Sequence, residues 1–166
     1  MEHADLKAVQ APLKERYRAD PDAARVTLTA DGTVGDGLAC RVETGRALVE
    51  AGLHPATGGS GQLACSGDML LQALVACAGV TLAAVAEALE VEVAGTLRAE
   101  GDLDFRGTLG LGKEDGVPVG FTSIRLQFDL EKPTDEESLQ RLVRLTERYC
   151  VVYQTLAAGV RVTTSA

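Results

Sequence analysis

The chain has few aromatic and few basic residues. It has no tryptophan, only three phenylalanines and three tyrosines, and its 16 Lys and Arg residues are outnumbered by 24 Asp and Glu residues, which gives a net charge of −8. Proteins that bind nucleic acid present basic patches to the phosphates and aromatic rings to unpaired bases. The composition therefore predicts that nucleic acid is not a partner.

Histidine is also scarce. The two histidines, His3 and His54, and the four cysteines show no CxxC or HxxxH spacing of the kind that binds zinc. We therefore predict no metal and no cofactor. The remaining chemistry centres on thiols, and Cys77 and Cys150 each lie in an apolar helical segment.

Signals for export or membrane insertion are weak. Met1 is followed by Glu-His-Ala-Asp-Leu-Lys, without a basic start or an apolar core, so we expect a cytoplasmic protein whose disulfides form transiently. The long apolar segment 66–89 is interrupted by Gln72, Thr81 and Glu87. We predict that it is too short and too rich in alanine to span a membrane, so the membrane is not an expected partner.

Two long helices are predicted around the cysteines. The first runs over 66–89 with Ser66 as its cap, and apolar residues on every side predict burial nearly all round. The second follows Pro133, with Thr134 and Glu137 as a capping box. One apolar stripe on this helix places Cys150 inward, near the helix C-terminus. The stripe comprises Leu139, Leu142, Val143, Thr146, Tyr149 and Cys150.

Runs of strands flank these helices. Alternating apolar residues predict a three-stranded antiparallel meander, with Asp31-Gly32 as its first turn, followed by three later strands. An amphipathic helix over 6–17 precedes the meander. Strand runs around two helices favour an α+β domain over a doubly wound sheet. The predicted strands are 26–30, 38–42, 47–50, 91–99, 121–130 and 160–164.

The two cysteine segments, 68–77 and 147–152, resemble the paired cysteine motifs of the OsmC/Ohr family, and segments 101–107 and 120–128 resemble its middle region. The resemblance extends from Arg25 to the C-terminus. It implies an OsmC-like domain over 25–166, preceded by a helical extension over 1–24. The implied fold is α+β, with antiparallel sheets packed around two long central helices in an intertwined homodimer.

The resemblance also implies an activity, because characterised members reduce organic hydroperoxides with a pair of cysteines. Cys77 corresponds to the peroxidatic cysteine and Cys150 to the resolving one. Arg46 is the best candidate for the partner arginine, with Arg25 and Arg41 as alternatives. By analogy with the family, a dithiol reductant regenerates the thiols.

Two positions depart from the family pattern. Well-studied peroxidases of the family carry a glutamate ten residues before the peroxidatic cysteine, where this chain has Gly67 followed by Asp68. Many relatives have proline where this chain has Val151. The missing glutamate leaves open a second function, that of an OsmC-like small-molecule binding protein with little or no peroxidase activity. In a third possibility the buried cysteines only fill space.

Activation of Cys77 is the chemical difficulty. The residue lies eleven positions after Ser66, which is roughly 16 Å along a helix axis and too far for the dipole of its own helix to act. Burial among apolar side chains raises the pKa of a thiol. We therefore predict that an arginine from another element is required. Cys40 and Cys65 are predicted to be structural, with Cys65 as a candidate third redox thiol, and the acidic residues 87–104 are predicted to form a solvated face.

Overall fold

The structure is a computed structural model that describes residues 19, 31–34, 39–43, 48–110, 114, 116–132 and 135–165. Only the backbone is described for 31–34, 39–43, 48 and 132. The predicted N-terminal helix, the predicted strand over 26–30, Arg25 and Arg46 lie outside the described residues. Arg41 is described only as a backbone position.

The first sheet confirms the meander. Strands β1 (Asp31–Val34), β2 (Ala39–Glu43) and β3 (Leu48–Gly52) pair antiparallel in that order, and a short β4 (Ala64–Cys65) pairs parallel to β3. The turn predicted at Asp31-Gly32 is wrong, because Gly32 lies within β1 opposite Val42. Pairing with β2 keeps both residues extended. Between β3 and β4, a single 3₁₀ turn covers Pro55–Thr57.

Helix α1 spans Ser66–Leu89 as predicted, but its start differs in detail. Cys65 is the N-cap residue, in an extended conformation and without a capping bond from its side chain, so Ser66 is the first helical residue and not the cap. The helix stops where Glu90 adopts a left-handed conformation with φ 59°. Its backbone N–H then bonds back to the last turn of the helix.

The prediction that α1 is buried nearly all round is wrong. Leu74, Ala78, Leu82 and Ala86 recur every four residues and form one buried stripe. On another face, Val80 is 73% exposed. The reason is that the elements packed on α1 in the described chain, namely two later helices and strand β5, cover one side of it.

By length and composition, α1 is the one described helix that could cross a membrane. Its 24 residues correct the prediction that the segment is too short. Core helices of soluble proteins can have the same length and apolar composition, so these two properties alone do not identify a membrane span. The buried stripe of α1 belongs to the core of the domain.

The second sheet is a hairpin of β5 (Ala94–Asp102) and β6 (Ser123–Lys132), which pair antiparallel with Leu97 opposite Phe128. These two side chains pack against the cluster formed by Leu82, Ala86 and Leu142. A helical turn, Phe105–Thr108, follows β5. The strand predicted over 160–164 is wrong, because this segment pairs with no described strand and Val162 is 82% exposed.

Two consecutive helices end the fold, α2 (Glu136–Tyr149) and α3 (Val151–Ala158). Asp135 caps α2 by accepting a hydrogen bond from the Ser138 N–H at 2.8 Å, so the cap predicted at Thr134 is wrong by one residue. The buried face of α2 carries Leu142 and Thr146 at four-residue spacing, and Cys150 continues the stripe. Tyr149 was predicted on this stripe, but it is 58% exposed because it lies one position away from the repeat.

The predicted solvated acidic face is exposed at Glu87, Glu90, Glu92 and Asp102, whereas Glu100 and Asp104 are half-buried. Arg125 donates to Asp102 at 2.9 Å and lies 3.6 Å from Glu100, while Arg106 pairs with Asp104. The hydrogen bond from Arg125 holds the pKa of Asp102 well below its usual range. These groups therefore form ion pairs along the hairpin.

Candidate active site

Cys150 separates the last two helices. Its backbone is extended, with φ −72° and ψ 111°, so it closes α2 as the C-cap and opens α3 as the N-cap. Its N–H donates to the Thr146 carbonyl at 2.8 Å, and its own carbonyl accepts from the Gln154 N–H at 3.0 Å. The Cys150 Sγ accepts from the Tyr153 N–H at 3.5 Å. A sulfur therefore takes the place of the usual capping oxygen.

The side chain of Cys77 lies at the start of α3. Burial raises the pKa of the Cys77 thiol, but hydrogen bonds from the N–H groups of Val152 and Val151 and from the Cys150 thiol bring that pKa below its ordinary value. The first backbone N–H groups of a helix have no acceptor within the helix and carry partial positive charge. Helix α3 therefore stabilises the Cys77 thiolate.

The two thiols of the pair differ in character. Burial raises the pKa of Cys150, and the neighbouring Cys77 raises it further, against the lowering effect of the Tyr153 N–H. Cys150 is 0% exposed, whereas Cys77 is half-buried. At neutral pH, Cys77 is thus the better nucleophile and Cys150 the proton donor that hydrogen-bonds to it.

The structure brings two of the three predicted site residues together. Cys77 and Cys150 are close enough for each thiol to shift the pKa of the other, while Arg46 lies outside the described residues. The need for an arginine stays a prediction, because the candidate arginine side chains lie outside the described residues; among the described groups, backbone N–H groups lower the pKa of Cys77. Helix α3 was not predicted from the sequence. The apolar run after Cys150, ending at Gly159, was the available signal for a second helix.

A pocket of about 320 Å³ is lined by residues that are near the two cysteines in the sequence, although neither Cys77 nor Cys150 lines it. One wall includes Leu74, one helical turn before Cys77, and another includes Tyr153, whose N–H bonds to Cys150. Met69 and Leu70, which precede Leu74 on α1, do not line this pocket. The remaining lining residues are Phe121, Ser123, Ile124, Leu126, Leu156 and Ala157.

Gly67 and Asp68 lie in the first turn of α1, whereas Cys77 lies near the middle of the helix. A Cβ added at Gly67 would meet Phe121 at 3.4 Å and the Cys65 sulfur at 3.6 Å. Asp68 is exposed in the first turn of α1, about 13 Å along the axis from Cys77. Both residues line a separate pocket of about 370 Å³, together with Cys65 and His54.

Thr146 has the one buried side-chain polar atom without a hydrogen bond among the described residues. It is 0% exposed and lies one helical turn before Cys150. A buried hydroxyl without a partner costs about 1–3 kcal/mol. We expect Thr146→Val to raise the free energy of unfolding by about 1 kcal/mol, measured by urea denaturation.

Thr81→Val is the matched control, because the Thr81 hydroxyl donates to the Cys77 carbonyl at 2.8 Å. We expect this variant to gain no stability. A Thr146→Val protein less stable than the wild type would mean that the Thr146 hydroxyl is bonded.

Solved structures with this fold come from several bacteria. An OsmC-like protein from Mycoplasma pneumoniae aligns with a TM-score of 0.67 at 16% identity, over 81% of this chain and 89% of its own. An organic hydroperoxide resistance protein from Elizabethkingia anophelis gives 0.63 at 16% identity, over 83% and 93%. OhrB of Bacillus subtilis, also an organic hydroperoxide resistance protein, gives 0.58 at 19% identity, over 81% and 93%.

At these identities the structural likeness establishes the fold. No curated protein sequence matches the chain. The family model for OsmC-like proteins, in contrast, matches residues 59–165, which is more than half of the chain and includes both Cys77 and Cys150. The chain belongs to the OsmC-like protein family and has its α+β fold.

Proposed function

We propose that the protein reduces organic hydroperoxides, with Cys77 as the peroxidatic and Cys150 as the resolving thiol. One observation carries the proposal: Cys77 lies on α1, which packs against α3, and the Val151 and Val152 N–H groups and the Cys150 thiol lower the pKa of its thiol. A thiolate stabilised in this way and a second thiol within reach are the two requirements of a disulfide-forming peroxidase.

The chemistry proceeds in two steps. The Cys77 thiolate attacks the terminal oxygen of the hydroperoxide, the O–O bond breaks, and the alkoxide leaves as an alcohol after taking up a proton. Cys77 is then a sulfenic acid. The Cys150 sulfur attacks the Cys77 sulfur, the S–O bond breaks and water leaves, so that one hydroperoxide oxidises two thiols to one disulfide.

The pocket lined by Leu74 and Tyr153 supports an organic hydroperoxide as the substrate. Its walls carry Leu74, Ile124, Leu126 and Leu156. An alkyl or aryl group gains free energy by leaving water for such a wall, at about 25 cal/mol per Å² of apolar surface. Hydrogen peroxide has no apolar group and gains nothing from it. We therefore expect the substrate to be an organic hydroperoxide, and an external dithiol to restore the thiols.

The test is an assay of cumene hydroperoxide consumption with dithiothreitol as the reductant. We expect turnover with cumene hydroperoxide, and a kcat/KM at least about 10-fold lower with hydrogen peroxide. The second candidate function, small-molecule binding without peroxidase activity, is favoured by Gly67 in place of the family glutamate. Binding of an apolar probe without hydroperoxide consumption would support that candidate and overturn the peroxidase.

We also propose that two copies of the chain pair through the uncovered face of α1. Val80 is 73% exposed and Leu70 is 37% exposed on a helix that is apolar over most of its length. A second copy would cover this face. Sedimentation equilibrium at micromolar concentration should give twice the chain mass of 17.4 kDa. A mass of one chain would contradict the dimer and leave the peroxidase proposal intact.

A further inference from the structure

The two sulfurs of the pair differ in their access to solvent. Cys150 is 0% exposed, with its backbone locked between two helices and its Sγ bonded to the Tyr153 N–H. Cys77 is half-buried and lies on α1. A disulfide between them therefore presents two sulfurs that an external thiolate reaches with unequal ease.

We propose that the reductant attacks Cys77, so that the mixed disulfide of the regeneration step forms on the peroxidatic cysteine and never on Cys150. This inference rests on the proposed function and specifies its second half. Thiol–disulfide exchange requires the incoming thiolate, the attacked sulfur and the departing sulfur to lie nearly in line. A sulfur without exposed surface offers no such approach.

The N-terminus of α3 stabilises the Cys150 thiolate, which is the leaving group of this step. As the reductant sulfur bonds to Cys77, the Cys77–Cys150 bond breaks and its electron pair stays on Cys150, which is released as a thiolate. The Tyr153 N–H already points at that sulfur, 3.5 Å away, at the N-terminus of α3. The second thiol of the reductant then attacks the reductant sulfur in the mixed disulfide. Cys77 leaves as a thiolate, and the dithiol becomes a disulfide.

One factor acts in the opposite direction. A thiol with a lowered pKa is the better leaving group, and by that criterion attack on Cys150 with release of Cys77 is favoured. Access of the reductant decides which sulfur is attacked, because attack on Cys150 requires local opening of the α2–α3 junction. That junction holds the hydrogen bonds of Cys150 to Thr146 and to Gln154.

The experiment identifies the cysteine that carries the adduct. The protein is oxidised with diamide, which forms the disulfide without any peroxidase activity, and is exposed briefly to 2-mercaptoethanol. The reaction is then quenched with acid, alkylated with N-ethylmaleimide and digested with trypsin. Cys150 falls in peptide 149–161, whereas Cys77 shares peptide 47–98 with Cys65. A Cys65→Ser background leaves Cys77 as the one cysteine of its peptide.

The amounts of mercaptoethanol adduct on the two cysteines are extrapolated to zero time. We expect at least about 10 times more adduct on Cys77 than on Cys150. An adduct found mainly on Cys150, or shared evenly, would overturn the inference. A diamide-treated protein without a Cys77–Cys150 disulfide would overturn it as well. Because diamide replaces the hydroperoxide, a failure here is separate from a failure of the peroxidase assay.

Discussion

Replacement of Cys77 by serine is expected to lower kcat/KM for cumene hydroperoxide by about 1000-fold or more. The hydroxyl of serine stays protonated at neutral pH, so α3 has no thiolate to stabilise and the O–O bond meets no effective nucleophile. Serine differs from cysteine by a single atom at a half-buried site, so the fold should survive. The coupled assay with dithiothreitol measures the loss.

Cys65→Ser is the matched control. Cys65 is a described thiol that precedes α1 and lines a different pocket. Its replacement should leave kcat/KM within about 2-fold of the wild type, as expected for a residue outside the reacting set. A Cys77→Ser enzyme with wild-type activity would remove Cys77 from the mechanism. A Cys65→Ser enzyme that lost activity would move the mechanism to the other pocket.

The second large effect is expected on the reactivity of Cys77, from a substitution at the start of α3. Val151→Pro removes one N–H group that donates to the Cys77 sulfur. Proline is well tolerated at the first position of a helix, and Cys150 before it is already extended. A hydrogen bond to a charged group contributes about 1.5–3 kcal/mol, and less to sulfur, so we expect alkylation of Cys77 at pH 7 to slow about 5-fold.

The direction of the expected pH dependence follows from the lowered pKa of Cys77. The pKa of Cys77 is lowered in the folded protein, so its thiolate persists to lower pH than that of a free cysteine and is lost as the pH falls through the lowered pKa. Loss of a donor moves this transition to higher pH. Monobromobimane labelling of peptide 47–98 across pH 5–9, in the Cys65→Ser background, measures it.

Val151→Ala is the control, because alanine keeps the backbone N–H while the valine side chain, 71% exposed, is lost. Its labelling profile should match that of the wild type. If Val151→Pro and Val151→Ala behave alike, the N–H of this residue does not activate Cys77. The Val152 N–H and residues outside the described part of the chain would then have to account for the lowered pKa.

Much of the fold follows from local patterns in the sequence. The bounds of α1 match the prediction, because the mainly apolar segment 66–89 contains no proline and follows a glycine-rich loop that marks where the helix begins. The antiparallel meander also follows from alternation. The error at 160–164 is of another kind. Val160 and Val162 alternate as in a strand, but a strand exists only with a hydrogen-bonded neighbour, and none of the described strands supplies one.

The resemblance pairs Cys77 with Cys150, and the structure places the two thiols near each other. The contribution of backbone N–H groups could not be predicted. In the sequence, Cys150 was predicted near the C-terminus of a single helix. The residue instead breaks the chain into two helices, and this break turns free N–H groups towards Cys77. Because the break depends on the backbone angles of Cys150, and the contact on how α3 packs on α1, periodicity could not reveal either.

The central claim is tested most directly by counting thiols during a titration of the reduced protein with cumene hydroperoxide. The account predicts that one equivalent of hydroperoxide removes two thiols per chain, and that tryptic mapping finds them joined as a disulfide between peptides 47–98 and 149–161. The same titration of Cys150→Ser should stop at one thiol, with Cys77 held as a sulfenic acid. Wild-type protein that keeps all its thiols at one equivalent of cumene hydroperoxide would contradict the account.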